Sequence, residues 1–572
     1  MPRIRHPPSA ADGAHPAAAR PPARPPGPAR RSASFSPRTV AVALALWLAL
    51  VGNLALWREL WRIGDGPTLA IVGAFVLVFA ATTTMLALTA WGRVMKPVWI
   101  AILLAAGVAQ HFMLSYGAVM DTTMLANTMQ TDPREVGDLL GWTLFGNIAL
   151  VALPAIVIVF VPIARTPWWT QIWRNLALFA GALAMTAVTA FAVFSQLAPM
   201  VRSNMHLRYM VNPIGGLSSA VSVALRPLLK QRGGLVAITA GTALGPSYGA
   251  AQKPPLLVIV VGETARADHF SLNGYGRDTN PELGRAGVLS FRDVRSCGTD
   301  TRSSVPCMFS SLGKKAFEDR RAEHENLLDV LQAAGLAVLW LDNQAGCKEV
   351  CERVPSASTA DLTAAAAAGL CGGGECFDEA MLVGLDARLA ALPAERRARG
   401  IVIVMHQMGS HGPAYSKRSP PDLKRFLPEC TNTSLGACDL AAVVNAYDNT
   451  IVTTDRFLAR TIDWLRGQAA FETGLLYMSD HGESLGEYGI FLHGLPYALA
   501  PEAQKHVPFI VWTSAALADR SRIDLACLRG RTGERLDHDN FYPTVLGLLD
   551  VATPTYQPSL DAFAPCRNAA RS

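Results

Sequence analysis

Five apolar stretches near the start of the chain restrict its fold more than any other feature. They lie at about 39–57, 68–91, 98–117, 142–163 and 175–197, and none contains Asp, Glu, Lys or Arg. Each is close to the ~20 residues that a helix needs to cross the hydrocarbon layer. Isolated core helices rarely come five in a row at this length, so the stretches read as transmembrane helices. Composition agrees, since 50% of the 572 residues are hydrophobic and 17% are charged, against about 25% charged in an ordinary soluble domain. A soluble cytosolic protein, a collagen-like chain and a small disulfide scaffold are excluded on these grounds.

Charge gives the orientation. Residues 1–38 carry seven arginines and one acid, Asp12, in a Pro- and Ala-rich tail with no apolar periodicity, which is expected to be disordered. Arg93, Lys96, Arg165 and Arg174 fall on the same side of the spans, and Arg58, Arg62 and Arg134 on the other. The N-terminus is therefore expected inside, and everything beyond about residue 198 outside. The first span lacks a small-residue cleavage site and reads as an uncleaved anchor. All ten cysteines lie after residue 296, as fits an oxidising compartment. Sequence-local pairs are Cys297/Cys307, Cys347/Cys351, Cys371/Cys376 and Cys430/Cys438, with Cys527 and Cys566 left for a fifth. Ten cysteines allow on the order of a thousand pairings, so connectivity stays open. A structural zinc on Cys347 and Cys351, or on Cys371 and Cys376, is the competing reading.

Residues 199–253 read as interfacial segments and a linker. An outer domain follows from 254 to 572. Apolar runs at Leu256–Val261, Ala337–Leu341, Ile401–Met405, Leu475–Met478 and Phe509–Val511 alternate with helical patterns at Leu327–Ala334, Phe377–Leu392 and Val443–Leu465. The pattern predicts an α/β domain with a mostly parallel sheet between helices, whose reactive groups gather at the carboxyl ends of strands. Three runs end in potential ligands: Glu263 after the first, His406 and then His411 after the third, Asp480-His481 after the fourth. Carboxylate and imidazole donors suit zinc without a thiolate. Singly, a strand-end Glu is as well explained as a helix cap and an Asp-His-Gly as a turn. The nucleophile candidate lies in Ser296-Cys297-Gly298-Thr299-Asp300-Thr301-Arg302-Ser303-Ser304-Val305-Pro306-Cys307, where a Thr could equally cap a helix. A threonine hydroxyl on zinc can lose its proton near neutral pH.

These residues carry a resemblance. Gly262-Glu263-Thr264-Ala265-Arg266, the Thr301 loop, Asp342-Asn343-Gln344-Ala345-Gly346-Cys347-Lys348, Gly409-Ser410-His411-Gly412-Pro413, Tyr447-Asp448-Asn449-Thr450 and Ser479-Asp480-His481-Gly482-Glu483 resemble the lipid A phosphoethanolamine transferases, a family that includes polymyxin (colistin) resistance enzymes. The likeness runs from the five spans to near residue 550. It implies an alkaline-phosphatase-like periplasmic domain on a five-helix anchor in the bacterial inner membrane, and a Zn2+ held by Glu263, Thr301, Asp480 and His481, with Thr301 as nucleophile and a second zinc conceivable. It further implies that His411 and His493 contact the transferred group or relay a proton, and that Lys348 contacts phosphate; the alternative for Lys348 is a solvated loop cation. His406 and His269 read as structural. One departure stands out, since the family usually has Ser where this chain has Ala345.

The loop between spans three and four matches as well, and the resemblance places Asn127, Thr131 and Glu135 around the ethanolamine headgroup of the donor. Pro133 argues against one continuous helix there, and Asp132-Pro133-Arg134-Glu135 reads equally as a helix start. The expected activity is transfer of phosphoethanolamine from phosphatidylethanolamine to a phosphate of lipid A through a phosphoethanolamine-threonine intermediate, which lowers surface negative charge and gives polymyxin resistance. Neither nucleic acid nor an obligate protein partner is expected. Transfer to core sugars and phosphoglycerol transfer by the same chemistry are the alternatives. A sulfatase would need a modifiable Cys or Ser in a Cys/Ser-x-Pro-x-Arg context, which the nucleophile loop lacks, and a decayed membrane scaffold would have lost ligands.

Overall fold

A computed structural model of the chain describes residues 34–63, 69–128, 136–137, 139–229, 233–249, 252–359, 368–372 and 375–568. The basic tail up to residue 33 lies outside the described residues. The apolar stretches form helices α1 (Pro37–Leu50), α2 (Leu54–Ile63), α3 (Leu69–Ala87), α4 (Lys96–Tyr116), α6 (Trp142–Phe160) and α7 (Trp168–Ala192), with the short α5 (Thr122–Thr128) between α4 and α6. Four helices are long and apolar enough to span a membrane, and the pair α1 and α2, bent by 45°, would make a fifth crossing. Along α6 and α7 large apolar side chains such as Ile156, Val157, Phe160, Val188 and Phe191 are exposed, as lipid-facing surfaces are.

Two expectations for this region need correction. The first stretch is not one helix, because the chain breaks at Val51–Asn53. The carbonyls this frees are satisfied from other segments: Gln110 Nε2 donates to Val51 O (2.6 Å), and Asn212 Nδ2 to Gly52 O and Ala106 O (both 2.8 Å). A break at this depth survives only when its polar groups find such partners. The last helix starts at Trp168 rather than 175, and Gln171 and Asn175 are buried helical residues whose amides donate to Ala90 O at 2.6 and 2.9 Å. The chain then continues through α8 (Phe194–Ser203), a 3-10 turn (Met205–Tyr209) and α9 (Ile214–Leu229). The segment read as a linker is stitched to the outer domain: Gly233–Val236 pairs in parallel with Ala322–His324, and Ala243–Leu244 pairs with Val551–Ala552.

The outer domain is built on strands β1 (Pro255–Gly262), β2 (Leu289–Arg295), β3 (Ala337–Asp342), β4 (Ser356–Ser358), β5 (Ile401–His406), β6 (Glu472–Ser479), β7 (His506–Thr513) and β8 (Arg535–Asp537). Their order across the sheet is β8–β2–β7–β6–β1–β5–β3–β4. The central strands β1, β3, β5 and β6 are buried along their whole length and parallel, as their unbroken apolar runs require. The sheet as a whole is mixed rather than mostly parallel at every edge, because β7 runs antiparallel to both β6 and β2. The chain returns from β6 to β7 through loops and a short hairpin with no crossover helix, and antiparallel pairing is what such a return allows. The helix expected over 377–392 is split at Gly384, which adopts φ +70°.

Register fixes the site. Val261 pairs with both His406 and Met478, Gly262 with Ser479, and His406 with Asp342, so the four central strands end level with one another. The chain leaves that edge at Glu263, Asn343, Gln407 and Asp480. All five cysteine pairs named above are disulfides, and no free cysteine remains among the described residues. The end of α4 meets the outer domain, where the Tyr116 hydroxyl donates to Thr433 O (3.2 Å) and Thr143 Oγ1 lies 3.0 Å from Ser434 Oγ. Leu495 and Ala500 of the outer domain join an apolar cluster with Ala109, Met113 and Val119.

Candidate metal centre and active site

β1 delivers Glu263 and β6 delivers Asp480 and His481, all three fully buried. Close approach of the two strands uses Gly262, where a Cβ would stand 2.5 Å from the Tyr477 hydroxyl. Donor atoms of Glu263, Asp480 and His481 lie within 4.8 Å of one another. Thr301 completes the group: its Oγ1 is 3.3 and 3.1 Å from the two Glu263 oxygens and 3.4 Å from His481 Nε2. Thr301 is the first residue of the helix α10 (Thr301–Met308), capped by Asp300, whose side chain accepts Ser303 N–H at 3.0 Å. The positive end of that helix favours a developing alkoxide on Thr301.

The donor set fits a divalent cation. Asp480 Oδ1 accepts the N–H groups of Thr264 (3.2 Å) and His481 (2.7 Å), while its Oδ2 is buried without a hydrogen-bond donor. Burial pushes that carboxyl up to about 6, which is the behaviour of an anion lacking its counter-charge. His481 Nδ1–H donates to Gly482 O at 2.9 Å, so its Nε2 lone pair faces Glu263 and Asp480 at 3.5 and 3.4 Å. Burial, and then the neighbouring His493, hold the His481 ring well below its ordinary pKa and hence neutral. A neutral imidazole oriented through its other nitrogen is the form that ligates metal.

His493 stacks on this centre, its ring centroid 4.4 Å from that of His481 and 5.5 Å from that of His411. Its Nδ1 is 2.8 Å from Glu483 Oε2, and the other Glu483 oxygen accepts the Tyr415 hydroxyl at 2.6 Å. Burial disfavours the charged ring, but the Glu483 carboxylate outweighs it and raises the His493 pKa. His411 is shifted the opposite way, well below its ordinary value, by burial and then by His493. The two histidines are therefore shifted in opposite directions, His493 towards the charged and His411 towards the neutral imidazole. Lys348 sits in the loop bridged by Cys347–Cys351, with φ +49° and its ammonium 2.9 Å from Ala345 O. Of the three residues expected at the donor headgroup, Asn127 lies on α5, and Thr131 and Glu135 lie outside the described residues.

Sequence reading passed over two buried carboxylates. Glu483 lies within a quoted motif but was given no role, and Asp378 received no mention. Asp378 accepts Met408 N–H (2.8 Å), Gly409 N–H (3.1 Å) and the Asn343 amide (2.8 Å), and so ties the loop of His411 to the end of β3. Glu483 was in principle detectable as the second acid of Asp480-His481-Gly482-Glu483. Asp378 carries no local signal. Of the two histidines read as structural, His269 Nδ1 is 2.7 Å from Asp448 Oδ1, and His406 lies edge-on to Trp340.

Comparison with known proteins agrees with this geometry. Residues 255–551 match the family model "Sulfatase", and residues 78–228 match "Phosphoethanolamine transferase EptA/EptB". The chain is 38% identical over 529 residues to phosphatidylethanolamine transferase Mcr-1 of Escherichia coli, covering 91% of this chain and 96% of the relative. It is 36% identical over 536 residues to phosphoethanolamine transferase EptA of Salmonella typhimurium, with the same coverage. Among solved structures, the integral membrane protein lipooligosaccharide phosphoethanolamine transferase A of Neisseria meningitidis superimposes with a TM-score of 0.86 at 30% identity, covering 93% of this chain and 99% of that one. With a membrane helical region and a sulfatase-like domain whose strand ends gather a metal-ligand cluster around a threonine, this chain belongs to the phosphoethanolamine transferase family.

Proposed function

We propose that the protein is a zinc-dependent enzyme that transfers phosphoethanolamine from phosphatidylethanolamine to a phosphate of lipid A through a covalent intermediate on Thr301. The observation that carries this reading is the position of the Thr301 hydroxyl, at a helix N-terminus and 3.1 Å from Glu263 within the ligand cluster. Glu263, Asp480, His481 and Thr301 would hold the zinc. When bound, it acidifies a coordinated hydroxyl and polarises a phosphoryl oxygen. Thr301 Oγ1 attacks the donor phosphorus, the bond to the diacylglycerol oxygen breaks, and phosphoethanolamine remains on Thr301. The acceptor phosphate then attacks the same phosphorus and Thr301 leaves with its oxygen.

His493, braced by Glu483 and with its pKa raised, would give a proton to the departing diacylglycerol oxygen, and His411, shifted the opposite way, would take one. Lys348 contributes positive charge where negative charge develops on the phosphoryl group. Asn127, Thr131 and Glu135 are proposed to receive the donor's ammonium headgroup. With α1 and α2 as one bent span, five crossings would leave the two ends of the membrane region on opposite sides, and the arginine-rich tail supports a cytoplasmic N-terminus and a periplasmic catalytic domain at the bacterial inner membrane. Addition of an ammonium to lipid A makes the outer surface less anionic and lowers attraction of cationic peptides.

The test is mass spectrometry of the purified chain after incubation with phosphatidylethanolamine. A phosphoethanolamine adduct on Thr301 and stoichiometric diacylglycerol are expected, followed by loss of the adduct on addition of lipid A. Full turnover by Thr301→Ala would refute the covalent route.

A further inference from the structure

Arg58 and Arg62 run against the charge bias that orients the other spans, since both lie on the outer side of the first stretch. The structure gives them a setting. Leu56 and Leu60, on the buried face of α2, pack in one cluster with Leu207 and Met210 and, from the outer domain, Leu495 and Ala500. This is the end of the helical bundle that meets the catalytic domain. A cationic rim follows the cluster. Arg62 pairs with Glu59 at 2.5 Å, and His206 Nε2 stands 3.1 Å from the same carboxylate oxygen. Arg58 donates to the Leu114 carbonyl (3.2 Å), and Arg208 to the Tyr209 hydroxyl (2.9 Å) while lying over that ring.

Arg58, Arg62 and Arg208 are all exposed. Among the described residues, Arg58 and Arg208 meet no carboxylate, and the one acid of the rim, Glu59, is already engaged by Arg62 and His206. The cluster that the rim borders also reaches the nucleophile loop: Leu495, one of its members, accepts the Thr299 hydroxyl through its carbonyl at 2.6 Å, two residues before Thr301.

We infer that this rim, formed by Arg58, Arg62 and Arg208, is the docking surface for the acceptor, a polyanionic lipid whose phosphates the guanidinium groups hold in the outer leaflet beside the bundle. Guanidinium forks match phosphate oxygens, and a net positive rim discriminates by charge. The donor phosphatidylethanolamine is zwitterionic, so its ammonium cancels its phosphate, and among the described residues the one acid of the rim, Glu59, is already engaged by Arg62 and His206. Two negative phosphates on one headgroup are what the surplus charge fits. The assignment of lipid A as the ligand rests on the function proposed above.

The test uses the full chain in phosphatidylcholine nanodiscs and the double substitution Arg58→Gln/Arg208→Gln. Each guanidinium near an anionic headgroup is worth about five-fold in affinity, so the pair should raise the KM for bisphosphorylated lipid A about twenty-five-fold. Diacylglycerol release with phosphatidylethanolamine as the sole lipid substrate should stay within about twofold, and Arg58→Lys/Arg208→Lys should restore most of the acceptor KM. An unchanged acceptor KM, or an equal fall in both half-reactions, overturns the assignment. Native mass spectrometry of lipid A retained by Thr301→Ala, with phosphatidylglycerol as competitor, reads binding without turnover. Loss of retained lipid A on adding the two glutamines supports the rim, and undiminished retention, or displacement by equimolar phosphatidylglycerol, overturns it. Absence of transfer by the unsubstituted chain would defeat the proposed function, while this binding measurement still decides the rim.

Discussion

The cluster of Glu263, Asp480, His481 and Thr301 and the pair His493 and Lys348 lie close together but are built differently. The cluster hangs on the ends of register-locked strands and the first turn of a helix, with each donor within two residues of regular structure. His493 and Lys348 sit on irregular backbone: Leu492, just before His493, has φ +66°, and Lys348 itself has φ +49°. Lys348 is held within its own loop, by the Cys347–Cys351 disulfide and the Ala345 carbonyl, whereas His493 is held from outside its segment. The fully buried Gln504 accepts Leu495 N–H (3.3 Å) and donates to Leu492 O (3.0 Å), and Leu495 also packs on the membrane helices. Regular structure therefore fixes the cluster of Glu263, Asp480, His481 and Thr301 by itself, whereas His493, proposed to act at the phosphoryl group, is fixed by contacts between segments and between domains.

Several experiments would break or sharpen this contrast. The largest effect is expected at Thr301: Thr301→Ala should lower transfer by about 10^4 or more, since the nucleophile is lost, with bound zinc measured by atomic absorption still detectable. Asp480→Asn should remove the metal, and chelation of the unsubstituted protein should lower its stability reversibly, by on the order of 4 kcal/mol if zinc is present at about 1,000 times its Kd, read as a fall in Tm. Glu483→Gln should cost about 10–100-fold in kcat with zinc content preserved, because it only orients His493. Loss of metal in that variant would show that the two sets are not separable.

A smaller effect is expected in acid. His538 Nδ1 accepts Cys297 N–H (3.1 Å) and its Nε2–H donates to Ser479 O (3.0 Å), which ties the nucleophile loop to the metal strand. Burial lowers its pKa from 6.5 to about 4. Below pH 6.5 the unfolded chain binds a proton that the native ring refuses until about pH 4. Stability is therefore full above pH 6.5 and falls on acidification towards pH 4, by on the order of 3 kcal/mol. Denaturant titrations of His538→Asn should show a flatter slope over that interval.

Much of the site was legible because its signals are local. Glu263 and the Asp480-His481 pair each follow an apolar run directly, so locating the strands located the ligands, and the disulfide pairs other than Cys527–Cys566 are close in sequence. Asp378 and Gln504 were not legible as site residues. Each acts on a residue from another segment, as Asp378 does on Met408 N–H across 30 positions, and nothing in the neighbouring sequence marks it. The break in the first span was hidden for the same reason, since Gln110 and Asn212 satisfy it from other segments.

The sequence by itself determined that the chain has membrane-compatible helices followed by a disulfide-bearing α/β domain, because hydrophobic period, length and strand-end chemistry are written in consecutive residues. Tertiary structure alone decided that β7 turns back antiparallel, that the linker is sewn onto the catalytic domain, and that the His493 hairpin leans on the bundle. Those outcomes depend on hydrogen bonds and packing between residues far apart in the chain, where the free energy of a contact depends on which partner folding brings to it.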